Sequence, residues 1–268
     1  MLRDITLGQY FPGNSVIHRI DPRFKLVMSI WYIVLVFTAQ TPLGYAAVFL
    51  LLAYIVVASG ISPRVILKSL RTFIFFIAFT AVLNIFFTSG ETILLKWKFI
   101  EVTKEGLVFA FYMVLRIVFL ITGTSMLTYT TSPIMLTDAI ERLMSPLKIV
   151  KFPVHELAMM MTIALRFIPT LIEETDKIMS AQRARGADFE SGNLIHRAKS
   201  LVPLLVPLFV SAFRRADELA TAMECRCYRG GVGRTRYRQM KSSVLDYAAL
   251  LVFAAIQAAV VLLAQYGL

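Results

Sequence analysis

Hydrophobic residues run through this chain in long blocks separated by short basic segments. Between Lys25 and Arg64 no residue is charged, a gap of 38 positions. A membrane span needs about 20 mostly apolar residues, so the gap holds a helical hairpin rather than one helix. Thr41-Pro42-Leu43-Gly44 supplies the turn, since Pro and Gly punctuate helices. The pattern predicts spans over 24–40 and 43–60, a third from Leu70 to Thr88, a fourth from Gly106 to Tyr129 and a fifth from Val244 to Ala264. The first is short, so Lys25 snorkels to the interface. Asn84 is the one strongly polar residue inside the third, and Arg116 interrupts the fourth. Between the third and fourth, Ile93, Leu95, Trp97 and Phe99 recur every second residue. This alternation reads as a short strand or hairpin at the outer interface. An aromatic interfacial loop is the simpler reading and implies no activity.

Residues 132–243 follow a different pattern. They are too many for a plain connector and too apolar for a soluble domain. Leu157, Met161, Leu165, Ile168 and Ile172 keep helical spacing, and Glu173, Glu174, Asp176 and Lys177 fill the later turns. This predicts a helix from Val154 to Gln182, kinked at Pro169. A second long helix is expected over 193–228. Its middle, Leu201 to Phe213, is uncharged for 13 residues and holds Pro203 and Pro207. Thirteen residues are too few to span, and dense charge flanks them. Both helices therefore read as amphipathic elements along the inner membrane face. A shorter helix around Met135 to Met144 precedes them. Each long helix ends alike, in Gln182-Arg183-Ala184-Arg185-Gly186 and in Glu224-Cys225-Arg226-Cys227-Tyr228-Arg229-Gly230-Gly231. Gly186 and Gly230 can take the positive φ of a helix C-cap, and arginine suits the negative end of a helix dipole.

Composition agrees with a membrane protein. The chain has 268 residues, 57% hydrophobic and 17% charged, against about 25% charged in soluble domains. The fold class expected is therefore all-α: a polytopic membrane protein with about five transmembrane helices and long amphipathic cytoplasmic helices. Its divisions are 1–131, 132–243 and 244–268. The net charge is +11, and it is placed by topology rather than by nucleic-acid binding. Basic loops stay in the cytoplasm. Five spans with the N-terminus inside and the C-terminus outside satisfy every loop. No removable signal peptide is expected, because Asp4 interrupts the start and no early apolar core follows.

Catalytic and metal chemistry find little support. Two cysteines and three histidines leave no room for a disulfide framework or a rich metal site. Cys225 and Cys227 point to nearly opposite faces of a helix, and His18, His155 and His196 lie far apart. No phosphate-binding Gly-rich loop, nucleophile elbow or zinc-protease pattern occurs, so neither an enzyme nor a cofactor is expected. A charge within a span needs a partner, and Arg116 reads as a packing residue. Lining a substrate path, as in a free-standing secondary carrier, is its alternative role.

Several stretches are similar to the transmembrane coupling subunit of energy-coupling factor (ECF) transporters, the EcfT or CbiQ-like family. They are His18-Arg19-Ile20-Asp21-Pro22-Arg23-Phe24-Lys25, Thr130-Thr131-Ser132-Pro133, Leu165-Arg166-Phe167-Ile168-Pro169, Ala184-Arg185-Gly186 and the segment from Ala222 to Gly231. They are spread over nearly the whole chain, from His18 to Gly231. The resemblance implies a noncatalytic scaffold in a bacterial cell membrane that works with two ABC-type ATPase subunits. One or more small substrate-binding membrane subunits complete the implied importer of vitamins or other micronutrients. It implies that Ala184, Arg185 and Gly186 dock on one ATPase and Cys225, Arg226 and Cys227 on the other. Cys225-Arg226-Cys227 keeps only the arginine of the family triplet. The resemblance also gives Met159, Met160, Met161, Leu205 and Phe209 to contact with the substrate-binding subunit, since methionine suits varied partners. A module dedicated to cobalt, nickel or biotin uptake is the family's other form.

Overall fold

The computed structural model describes residues 10–88, 92–97, 100–189, 193–231 and 240–266. The chain divides into two compact units. One comprises residues 8–139 and 240–268, the other residues 1–7 and 140–239.

The first unit is a helical bundle. Its elements are α1 (Val16–Arg19), α2 (Pro22–Thr38), α3 (Pro42–Ser59), α4 (Pro63–Thr72), α5 (Ile74–Phe87), α6 (Lys104–Thr130) and α10 (Val244–Tyr266). Local chemistry sets their starts. The Asp21 carboxylate accepts from Arg23 N at the start of α2, and the Thr41 hydroxyl accepts from Gly44 N at the start of α3. Each helix has proline in its first turn, where no backbone donor is lost. Gly60, at φ 70°, ends α3. The core is built by Tyr32, Leu35, Val36, Val48, Phe119, Phe253 and Val260, from α2, α3, α6 and α10.

Two close contacts fix this bundle. Tyr32 Oη donates to the Phe119 carbonyl at 3.0 Å. The ring lies so near α6 that a Cβ on Gly123 would stand 2.1 Å from Tyr32 Cε1. The second contact is polar and buried. Lys25 Nζ donates to the Thr130 carbonyl at 3.0 Å, to Thr131 Oγ1 at 3.3 Å and to the His18 carbonyl at 3.4 Å. Asp246, 1% exposed, accepts from Asp21 N at 2.9 Å and from Ser243 N at 2.6 Å. Asp21 in turn pairs with Arg23. The starts of α2 and α10 and the end of α6 therefore meet at one end of the unit.

The spans differ from the sequence pattern in three respects. The third is not a continuous helix from Leu70 to Thr88. It breaks at Phe73 into α4 and α5, which meet at 62°. The reason is charge. Arg64, Lys68 and Arg71 lie on α4 and cannot enter the hydrocarbon layer, whereas α5 has no charge at all. The first helix has only 17 residues, about 25 Å at 1.5 Å per residue, short of a core of about 30 Å. By length and apolarity α3, α6 and α10 qualify as spans, as does the helix Val154–Ala184, and the bent pair α4–α5 makes a fifth. The simpler loop reading of 93–99 also yields, because Ile93–Trp97 (β1) and Ile100–Thr103 (β2) pair as an antiparallel hairpin with Trp97 opposite Ile100. Phe99 lies outside the described residues.

Arg116 lies level with the α2–α3 turn. Its guanidinium donates to the Ala39 carbonyl at 3.4 Å and sits 5.7 Å from the Phe37 ring and 6.0 Å from the Tyr45 ring. Both rings flank that turn, so the charge is held by a helix end and two aromatic faces. These contacts are those of a packing residue, although its Nε is buried without a partner among the described residues.

The second unit holds the last part of α7 (Pro133–Leu143), a 3₁₀ turn at Ser145–Val150, α8 (Val154–Ala184) and α9 (Leu194–Cys225). Pro169 lies inside α8, and Pro203 and Pro207 lie inside α9, without ending either helix.

Gly123→Ala is expected to drive the Tyr32 ring from α6 and lower stability by about 1–3 kcal/mol. Thermal unfolding of the purified protein in mild detergent measures this. Tyr32→Ala alone should cost about 3–5 kcal/mol by emptying the core. On that background Gly123→Ala should add little, since the clash then disappears, and a double-mutant cycle should show the coupling.

Candidate coupling interface

The last turns of α8 and α9 have the same backbone design. A helix end leaves carbonyls without partners, and a Schellman motif satisfies them with two bonds closed by a left-handed residue. In α8, Ala187 N donates to the Gln182 carbonyl and Gly186 N to the Arg183 carbonyl, both at 3.0 Å, with Gly186 at φ 87°. In α9, Tyr228 N donates to the Met223 carbonyl at 3.0 Å and Cys227 N to the Glu224 carbonyl at 2.8 Å, with Cys227 at φ 56°. Arg185 and Arg226 thus occupy the same position, the cap residue just before the left-handed one.

This corrects the sequence expectation for α9. Gly230 does have positive φ, 84°, but it does not close the helix. Cys227 does so three residues earlier, so α9 ends at Cys225 rather than near Tyr228. A side chain in the left-handed region costs on the order of 1 kcal/mol. The two glycines beyond act elsewhere. A Cβ on Gly231 would stand 2.6 Å from His155 Cδ2, so the turn after α9 packs closely against the first turn of α8. His155 Nδ1 donates to Glu141 Oε1 at 3.1 Å, which fixes that ring.

All six residues of the two triplets are exposed. Among the described residues, neither Arg185 nor Arg226 has a side-chain hydrogen bond or an ion pair. Their neighbours Arg183 and Tyr228, by contrast, are engaged. The two guanidiniums are therefore presented, each with five donors in a planar fork.

A clasp lies where α8 and α9 meet. Glu174 accepts from Ser211 Oγ and from Arg215 Nη2, the latter at 2.9 Å. Further along, Gln182 Nε2 donates to the Pro203 carbonyl at 3.5 Å. Progress along α8 from 174 to 182 matches retreat along α9 from 215 to 203, and Gly231 meets His155, so the helices run in opposite senses. The structure does not bring the two arginines together. Glu174 precedes Arg185 by eleven residues, and Arg215 precedes Arg226 by eleven. Eleven residues are close to three turns and about 16 Å. Each arginine thus lies on the same face of its helix as the clasp, three turns beyond it and in opposite directions. Sequence reasoning missed this clasp because its partners are 37 and 41 residues apart.

The apolar candidates are also exposed. Leu205 and Phe209 belong to a stripe on α9 with Leu201 and Phe213, spaced by four residues. Met160 and Met161 are exposed on α8, and Met159 is half-buried. The two groups are separate. Phe209 lies beside the clasp, whereas Met161 precedes Glu174 by about 20 Å of helix. Among the described residues, no group of three or more His, Cys, Asp or Glu is placed to hold a metal.

Comparison with known proteins agrees with these features. Residues 13–237 match the family CbiQ, described as cobalt transport protein. The chain is 54% identical to the energy-coupling factor transporter transmembrane protein EcfT of Ruminiclostridium cellulolyticum over 92% of each chain. It is 57% identical to the EcfT of Clostridium kluyveri, over 94% of this chain and 93% of that one. The EcfT of Lactococcus lactis is 48% identical over 90% of each. With capped arginine ends on two antiparallel helices, a bundle of long apolar helices and matches of this length, the chain belongs to the EcfT family, the transmembrane coupling subunits of energy-coupling factor transporters.

Proposed function

We propose that this protein links two ABC-type ATPase subunits to a small substrate-binding membrane subunit. ATP hydrolysis on the partners then drives uptake of a vitamin or another micronutrient. The observation that carries the proposal is the pair of presented arginines on matching helix caps. A coupling element must transmit force through a contact that keeps its charge and geometry. Arginine stays charged at any working pH and grips a carboxylate with two parallel hydrogen bonds. Arg185 engages one ATPase and Arg226 the other. When the ATPases approach each other, both helix ends are displaced, and α8 and α9 rotate about the Glu174–Ser211–Arg215 clasp. The stripe containing Leu205 and Phe209 lies beside that pivot, and Met159, Met160 and Met161 lie further along α8. Both sets press on the substrate-binding subunit. This subunit of the transporter performs no catalysis of its own and binds no nucleic acid.

Charge supports a multi-pass orientation in the bacterial cell membrane with the N-terminus inside and the C-terminus outside. The bundle end where α2 and α10 begin carries Arg19, Arg23, Lys25, Arg64, Lys68 and Arg71, and basic segments are retained in the cytoplasm. The opposite end, at the α2–α3 turn, has no charged residue in the turn itself.

Arg185→Glu and Arg226→Glu are each expected to abolish ATP-dependent substrate uptake in proteoliposomes holding the whole complex, while the protein still inserts. Loss of a buried, paired arginine at an interface costs about 2–5 kcal/mol. Normal uptake by both variants would sink the proposal. Disrupting the clasp with Glu174→Arg should impair uptake, and the swap Glu174→Arg with Arg215→Glu should restore part of it. A double-mutant cycle on unfolding should give a coupling of about 1 kcal/mol.

Cys227→Gly should raise the stability of the α9 end by about 1 kcal/mol and leave uptake intact, because glycine keeps the backbone that presents Arg226. Cys227→Val, which resists positive φ, should lower both. Unfolding and uptake measured on the same preparations distinguish these outcomes.

A further inference from the structure

The short helix α4 is the most amphipathic element of the chain, and neither the bundle core nor the coupling helices explain its charge. Successive residues of a helix are rotated by about 100°, so Arg64, Lys68 and Arg71, at i, i+4 and i+7, fall within an arc of about 60°. All three side chains are exposed. None makes an ion pair or a side-chain hydrogen bond among the described residues, and no acidic residue occurs between Asp21 and Glu91. The opposite side of the helix is anchored. Val65 and Ile66 pack on Ile61, Met126 and Tyr129. Met126 and Tyr129 belong to the end of α6 that also holds the Lys25 site. Between the anchored face and the cations lie Leu67, 65% exposed, and Leu70. Around the helix, protein packing thus gives way to an apolar arc and then to a cationic arc. The chain then turns by 62° into the uncharged α5, where Ile74 and Phe75 are also exposed.

This order of faces is that of a helix lying in a membrane interface. The apolar arc dips into the acyl boundary, and the cations meet the headgroup layer. An isolated cationic stripe beside an apolar arc selects negatively charged headgroups, each Lys or Arg adding to the attraction. We propose that α4 is an anionic-phospholipid site, in which Arg64, Lys68 and Arg71 bind the phosphates of negatively charged lipids at this end of the bundle. Arg64 and Arg71 are seven residues apart, about 10 Å along the axis, so the stripe engages more than one headgroup. Held there, the helix fixes the depth at which α5 enters the membrane.

The test uses the whole complex in nanodiscs of phosphatidylcholine containing one fifth phosphatidylglycerol, with a photo-crosslinking residue replacing the exposed Thr72. Lipids captured at that site are identified by mass spectrometry. Phosphatidylglycerol is expected among them at about three times its bulk fraction or more. It should return to the bulk fraction in Arg64→Gln/Lys68→Gln/Arg71→Gln and stay enriched in the charge-preserving Arg64→Lys/Arg71→Lys. Bulk composition in the unsubstituted chain overturns the proposal. So does enrichment that survives removal of all three cations, which would assign the attraction to other basic residues. Capture of protein in place of lipid also overturns it and would make the stripe a protein-docking face.

Discussion

A buried ammonium group ties the membrane bundle together. Lys25 lies among carbonyl and hydroxyl oxygens from α1, from the end of α6 and from Thr131. Asp246 holds the starts of α2 and α10 a few residues away. In a medium without water a charge survives only where such groups converge. The convergence therefore dictates which helix ends are neighbours. The alignment of α2, α6 and α10 follows, and with it the close packing that brings the Tyr32 ring against Gly123. The polar end is fixed by hydrogen bonds and the interior by side-chain volume.

The unit of residues 140–239 obeys a different economy. α8 and α9 bury little, and most of their apolar and charged side chains remain exposed. Contacts that relate the two helices include the Glu174 clasp, the Gln182–Pro203 bond and the seating of Gly231 against His155. In the proposed mechanism the Glu174 carboxylate and its two donors serve as the pivot between α8 and α9.

Much of this architecture was legible in the sequence. The charge-free gap after Lys25 marks the α2–α3 hairpin, and Gly186 takes the positive φ expected of it. The every-second-residue alternation after Thr92 carries a true strand signal, and the hairpin follows it. The failures have physical causes. The break at Phe73 depends on where cations meet the edge of the hydrocarbon layer, which a window of hydrophobic residues does not register. The cap at Cys227 is invisible because the left-handed region is associated with glycine. The partners of Glu174 lie a whole helix away, and periodicity within one helix contains no information about them.

The two capped ends are geometric twins with unlike surroundings. At one, the arginine stands between an alanine and a glycine. At the other, it stands between two exposed thiol side chains. The backbone that aims the guanidinium is the same, so the flanking positions can vary without disturbing its direction. A surface that must receive either end would have to tolerate both sets of neighbours. Two non-identical surfaces can instead each be shaped to one. Variation beside an invariant backbone cap is thus a means of assigning handedness to an assembly: it gives a lever with two similar arms a left and a right.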